Sequence, residues 1–316
     1  MSLVVKDLYK KYGEKVVVNN LSFEMKEPGV YALLGTNGAG KTTSIRMILN
    51  MIAKDGGEVL WKGEPLDPLK VEVGYLAEER GLYPKYTLMD QLLYFAKLKN
   101  VPKNEAKKRI AHWSRLLELD EYLYPEKFMP AKSKKKAKPM KAEQLSKGNQ
   151  QKIQLMSALI ADPELLIFDE PISGLDPVNT DLFKDIIRQE INKGKYIIMS
   201  SHQMATVEEF CTDITILKSG DIVVQGNLNE IKKGYGRVNL EIKCDDDFSD
   251  VIEKFDLNVI NETPDGTMIK VKNEAQAREF LSALIAGGHS IVRFELREPS
   301  LHEIFVEKVG GIHEED

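Results

Sequence analysis

Gly35-Thr36-Asn37-Gly38-Ala39-Gly40-Lys41-Thr42 constrains the fold of this chain more than any other segment. Before it, Val30-Tyr31-Ala32-Leu33-Leu34 is a short apolar run that reads as a buried strand. After it, Ile45, Ile48, Leu49 and Ile52 recur at i, i+3, i+4 and i+7 and predict a helix stripe. Gly-x4-Gly-Lys-Thr between a strand and a helix is a phosphate loop, because the helix start presents unpaired N–H groups and the positive end of a dipole. Gly38 and Gly40 let backbone amides approach phosphates closely, Lys41 reaches the β and γ phosphates, and the Thr42 hydroxyl suits Mg2+.

Leu165-Leu166-Ile167-Phe168 is fully apolar, as a strand buried on both faces of a parallel sheet must be, and it delivers Asp169 and Glu170 at its carboxyl end. There Asp169 is placed to hold Mg2+, through water, and Glu170 to take a proton from an attacking water. A second strand, Tyr196 to Ser200, ends just before His202; a lone histidine is usually structural, so its role rests on its neighbours. Leu145-Ser146-Lys147-Gly148-Asn149-Gln150 opens another helix with a glycine-bearing turn, which suggests a second anion site. Two phosphate-binding surfaces on one chain invite a head-to-tail dimer around nucleotide.

These motifs, in this order, resemble the ATP-binding cassette ATPases over roughly residues 1 to 230. The resemblance implies a P-loop α/β fold with a helical subdomain, and ATP with Mg2+ at Gly35, Thr36, Asn37, Gly38, Ala39, Gly40, Lys41, Thr42 and Thr43. Tyr12 looks like the aromatic that stacks on adenine. Ser146 and Gly148 look like the groups that contact the γ-phosphate held by the opposite subunit. Ser173-Gly174-Leu175-Asp176 is similar to the loop joining the two active sites, which puts Asp176 beside nucleotide, and His202 is similar to the switch histidine.

The chain departs from the family pattern in three places. Lys147 and Asn149 stand where Leu-Ser-Gly-Gly-Gln is usual; Lys147 removes a residue tolerant of φ > 0 and adds a charge, and binding is expected to survive. Glu78, in Gly74-Tyr75-Leu76-Ala77-Glu78, replaces a glutamine that would touch Mg2+ and the attacking water; a carboxylate can also ligate Mg2+. If Glu78 nears Glu170 in the closed site, like-charge repulsion raises the pKa of that base. The third, Thr36 in the phosphate loop, is neutral.

With 316 residues the chain has room for one large and one smaller domain, and a formal net charge of -5 argues against a general nucleic-acid binder. Two cysteines, Cys211 and Cys244, lack metal-ligand spacing and suit a reduced, cytosolic protein. Nothing resembles a signal peptide, and no apolar run approaches the roughly 18 residues of a membrane-spanning helix. The expected location is therefore the cytoplasmic face of the membrane, with a pore formed by another chain.

A helical subdomain is expected over about residues 79 to 161, with Thr87 and Asp90 capping a helix that aligns Leu88, Leu92 and Phe95. Ile110, Trp113 and Leu117 mark the next helix, and Ile153, Met156 and Ile160 face inward on the one after Ser146. By resemblance, Arg80 to Pro84 lines a groove for a helix of the membrane partner; Leu82 and Tyr83 either contact that partner or pack beneath their own loop. From Phe128 to Lys141, the run Lys132 to Lys141 is either a solvated charge block, an attraction to anionic headgroups, or a nucleic-acid contact.

Lys232-Lys233-Gly234-Tyr235-Gly236 reads as a boundary between residues 1–232 and 233–316. Beyond it, alternation at Val238 to Cys244, helical spacing at Val251 to Phe255, a hairpin about Pro264-Asp265-Gly266, a helix through Phe280 and Leu284, and a strand from Ile291 to Leu296 predict β-α-β-β-α-β. This ferredoxin-like α+β module, closing with Glu298 to Phe305, resembles the carboxyl-terminal extension of one exporter branch. Dimer contact, regulation or a structural cap are its open roles. His289, His302 and His313 are scattered and read as no ligand set.

The leading expectation is an ATPase subunit of an exporter resembling those for sodium or drugs: two chains sandwich two MgATP, and dimer opening moves a transmembrane permease. The alternative is a soluble cassette ATPase acting on nucleic acid or ribosomes, against which the chain shows no heptad arms and only one cassette. An ATP-gated scaffold without hydrolysis would lack a base, and Glu170 is present.

Overall fold

The strand that carries the phosphate loop is buried at every residue, and two layers form around it. A computed structural model describes residues 2–68, 70–79, 81–128 and 138–310. The chain divides into two compact units, one of residues 1–203 and 210–225, the other of residues 204–209 and 226–316. Most of the lysine run Lys132 to Lys141, along with Arg80 and His313, lies outside the described residues.

In the first unit β1 (Leu3–Tyr12) and β2 (Lys15–Met25) form a hairpin. β3 (Gly29–Gly35) leads into α1 (Lys41–Ile48), followed by β4 (Gly56–Trp61), β5 (Glu64–Pro65) and β6 (Val73–Leu76). Helices α2 (Leu88–Leu98), α3 (Lys103–Leu116), α4 (Asp120–Leu123) and α5 (Lys147–Leu159) make up the helical part. The chain returns through β7 (Leu165–Asp169), α6 (Pro177–Asn192) and β8 (Tyr196–Ser201), passes through α7 (Met204–Glu208), which belongs to the second unit, and comes back with β9 (Asp213–Lys218) and β10 (Asp221–Asn227).

One sheet has the order β2-β1-β4-β5, and the other β10-β9-β3-β8-β7-β6. β3 runs parallel to β8 and β9, and β7 to β6 and β8, so their carboxyl ends share one edge. Between the sheets, Leu3, Val5, Leu21 and Trp61 pack with Ile45, Ile48, Ile167 and Ile198 in one apolar cluster. Each such side chain contributes about 1.5–3 kcal/mol on burial. On β7, Phe168 is fully buried and meets Phe183 of α6 edge-on at 5.7 Å, which fixes the strand that carries the acidic pair.

Helix α1 stops at Ile48, short of Ile52, to which the spacing carried the helix stripe. Asn50 adopts φ 53° and ends the helix, while Ile52 still packs against the core from outside it. The Thr87 hydroxyl accepts a hydrogen bond from the Asp90 amide at 3.2 Å and caps α2 as expected.

The second unit takes α7, then α8 (Leu228–Tyr235), β11 (Asn239–Cys244), α9 (Ser249–Lys254), β12 (Asn258–Thr263), β13 (Gly266–Lys270), α10 (Glu274–Ala286), β14 (Ile291–Arg297) and α11 (Leu301–Val309). Its sheet has the order β12-β13-β11-β14 with all three pairs antiparallel, the arrangement β-α-β-β-α-β requires. Leu240 and Ile242 pack against Phe280 and Leu284 of α10. Lys232 to Tyr235, read as a boundary, lies in helix α8 of this unit. Within the unit, Glu208 of α7 accepts a hydrogen bond from the Leu301 amide at 3.0 Å and so caps α11.

Candidate functional site

Gly35 ends β3 at φ 156°, where a Cβ would sit 2.6 Å from the Leu217 carbonyl oxygen. Gly40 begins α1 at φ 107°, and a Cβ there would lie 2.5 Å from the Val17 carbonyl oxygen. Both positions therefore demand glycine on conformation and on space. The loop they bound presents the amino-terminus of α1 to a concavity of about 490 Å3. Thr36 to Thr43, Tyr12, Glu78 and Glu170 line it, together with Lys15 and Val17, which carry no motif and were not legible in the sequence.

Lys41 is buried, and its Nζ donates to the carbonyls of Gly35 at 2.8 Å and Thr36 at 3.2 Å. The same Nζ lies 3.2 Å from Glu170 Oε1, an ion pair without hydrogen-bond alignment, so that oxygen has no hydrogen-bond donor among the described residues. Glu170 Oε2 meets His202 Nδ1 at 2.8 Å, and His202 keeps 47% of its side chain exposed. Thus Lys41 from the phosphate loop, Glu170 after β7 and His202 after β8 converge on one carboxylate.

Asp169 Oδ1 accepts from Ser200 Oγ at 2.6 Å and Thr42 Oγ1 at 3.2 Å, whereas its buried Oδ2 has no hydrogen-bond partner among the described residues. Burial pushes the Asp169 carboxyl above its ordinary range, while the Ser200 and Thr42 hydrogen bonds pull it back in part. Ser200 also accepts the Glu170 amide at 2.9 Å, supporting a backbone held at φ 48°. Sequence reasoning missed Ser200: a serine at the end of an apolar strand has no signature.

Ser146, Gly148 and Asp176 do not line this concavity. Ser146 caps α5 by accepting the Asn149 amide at 3.2 Å, and Asp176 caps α6 by accepting the Asn179 amide at 2.9 Å. Asn179 Nδ2 also donates to Asp176 at 2.5 Å and lies 3.1 Å from where a Gly148 Cβ would be. Asn179, unnoticed in the sequence, thereby braces the Asp176 turn and leaves little room for a side chain at Gly148. Lys147 occupies the first turn of α5 and is not among the positive-φ residues, so this turn does not need the glycine that Lys147 replaces.

The ABC transporter family profile matches residues 18–173, and that of the DrrA1-3-like ATP-binding protein C-terminal domain matches residues 226–309. The uncharacterized ABC transporter ATP-binding protein YhaQ of Bacillus subtilis is 42% identical over 313 residues, covering 99% of this chain and 100% of its own. The chain belongs to the ABC transporter ATPases. It is also 32% identical over 244 residues to the Nod factor export ATP-binding protein I of Burkholderia orbicola, across 76% of this chain and 73% of that protein. A solved ATP-binding subunit of an ABC transporter superposes with TM-score 0.65 at 28% identity, covering 75% of this chain and 94% of that one.

An ABC ATPase binds and hydrolyses ATP, and this subunit does so through the cassette of its first unit. Among the described residues no helix is long and apolar enough to cross a membrane. Two concavities adjoin the cassette's helical part: one of about 290 Å3 lined by Leu76, Leu82, Phe95 and Leu98 among others, and one of about 430 Å3 that includes Tyr83.

Proposed function

We propose that the chain energises an exporter, using MgATP to close and reopen a dimer of cassettes that drives a separate transmembrane subunit. The observation that carries this reading is the convergence of Lys41 and His202 on Glu170 beside Asp169 and Thr42. Lys41 leaves the loop carbonyls for the β and γ phosphates, and its departure frees Glu170 Oε1 to accept a proton from the attacking water. His202 orients Glu170 through the Nδ1 contact. Tyr12, 54% exposed at the rim, offers its ring to adenine.

The donor set fits Mg2+: Thr42 and Asp169 are oxygen donors, and the orphaned, buried Asp169 Oδ2 calls for a cation. Glu78, on the same concavity, adds a third oxygen donor. Bound Mg2+ would neutralise phosphate charge. Ser146, Gly148 and Asp176, away from their own chain's phosphate loop, serve the nucleotide of a second ATPase subunit, and the subunits form an ATP-dependent homodimer.

Export is supported by the name of the Burkholderia orbicola relative, a Nod factor export ATP-binding protein, and is compatible with that of a linearmycin resistance ATP-binding protein of Bacillus subtilis, 28% identical over 320 residues that cover 98% of each chain. The chain then works at the cytoplasmic face of the membrane, with the 290 Å3 groove receiving the partner. Detergent isolation of the chain with its native partners tests this. A multi-spanning protein recovered with it supports the reading, whereas ribosomes or nucleic acid in its place would contradict it.

A further inference from the structure

Beside the apolar groove lies a second concavity of about 430 Å3 with a different chemistry: Tyr83, Tyr86, Asp90, Gln91 and Tyr94 line it. The three tyrosines are 48%, 64% and 48% exposed, far more than aromatic rings in a core. Gln91 is buried at 2% and spends its amide on the loop, accepting from the Tyr83 amide at 2.8 Å and donating to the carbonyls of Tyr83 at 3.0 Å and Tyr86 at 3.1 Å. The loop tyrosines are thus fixed against α2, with rings 5.9 Å apart and 69° between their planes. Asp90 and Tyr94 follow one another at i and i+4 on the same helix face.

Thr87 Oγ1 donates to Asp90 Oδ2 at 2.6 Å, and Asp90 Oδ1 takes no hydrogen bond among the described residues. Electron-rich ring faces around an anionic carboxylate select a cation. In the described residues the lysine and arginine contacts with rings fall elsewhere, on Tyr12, Trp61, Trp113, Tyr124, Phe210 and Tyr235.

We propose that this tyrosine pocket receives an arginine side chain of the membrane partner, its guanidinium stacked among Tyr83, Tyr86 and Tyr94 and paired with Asp90. A planar guanidinium stacks on rings and pairs with a carboxylate at once, which an ammonium does less well. A polypeptide occupant is favoured because the pocket continues into the apolar groove: Tyr83 stacks on Phe95, a groove residue, at 6.3 Å and 19°. An amphipathic helix would place apolar side chains in the groove and its arginine in the pocket. The inference rests on the partner reading above and specifies the chemistry of that partner.

The test is tyrosine-labelled NMR of the full chain titrated with N-acetyl-arginine amide, its neutral isostere N-acetyl-citrulline amide, and tetramethylammonium. Arginine amide is expected to shift the three ring signals saturably, with a dissociation constant on the order of millimolar. Citrulline amide should bind at least about tenfold more weakly, and so should arginine amide to Asp90→Asn or Tyr86→Leu, both of which keep ATP binding. No saturable shift, or equal binding of citrulline amide, would overturn the proposal. So would tighter binding of tetramethylammonium than of arginine amide, which would assign the pocket to a free quaternary ammonium ligand. If no membrane protein co-isolates with the native chain, the partner reading fails; if one does and arginine amide does not bind, only the pocket assignment fails.

Discussion

Glu170 holds the most constrained position in the cassette: its backbone sits at φ 48°, its side chain is 5% exposed, and Lys41 and His202 each hold one of its oxygens. Ser200 supports both acidic residues from one hydroxyl, so Ser200→Ala strands the Glu170 amide and removes a donor from Asp169. That substitution is expected to cost about 1–3 kcal/mol of stability. It should also weaken the Mg2+ dependence of nucleotide binding, measured by titrating Mg2+ at fixed ATP, since Asp169 loses a hydrogen bond that holds its pKa down. An unchanged Mg2+ requirement would separate Ser200 from the metal site. Glu78→Gln is expected to raise the Mg2+ concentration needed for half-maximal hydrolysis, because it removes a carboxylate oxygen from the concavity that Thr42 and Glu170 line. A superimposable Mg2+ titration would show that Glu78 does not hold the metal.

At the scale of elements, most of the cassette was legible because its motifs sit where strands meet helices. The apolar runs at Val30 to Leu34 and Leu165 to Phe168 could only be buried strands, and both are. The end of α1 was not legible, because Ile52 packs on the core whether or not it is helical, and periodicity records the packing alone. Ser200 escaped for another reason: its partners Asp169 and Glu170 are remote in sequence, and one of them acts through a backbone amide, which no local pattern encodes; Asn179, three residues from Asp176, was within reach of the local helix-cap pattern and was overlooked. Gly40→Ala is expected to cost about 1–3 kcal/mol and to abolish ATP binding by calorimetry, since the Cβ would strike the Val17 carbonyl at a strained φ. In the second unit, burial of Glu303 would raise its pKa, but hydrogen bonds from Arg297 and Ser300 outweigh this and hold it at about 2. The stability it contributes is present above its ordinary value of 4.5 and is lost as pH falls toward 2. With side chains 27% and 28% exposed, that contribution is about 1–2 kcal/mol. Protection factors of the α11 amides in the full chain, taken from hydrogen exchange corrected for its intrinsic pH dependence, should lose their slope over this window in Glu303→Gln; retention of the full slope would assign it to another group.

For the whole molecule, the account predicts that one chain is an incomplete enzyme. The phosphate loop, Asp169 and Glu170 form one half of a site, while Ser146 and Gly148, outside that concavity, complete the site of a second chain. Hydrolysis per chain should therefore rise with protein concentration until dimers saturate. The most direct test compares wild type and Glu170→Gln by sedimentation in MgATP alongside their hydrolysis rates. The account predicts that Glu170→Gln accumulates as a nucleotide-bound dimer, with turnover reduced by about 10²–10⁴-fold. Wild-type turnover in Glu170→Gln, or a variant that stays monomeric while saturated with ATP, would contradict it.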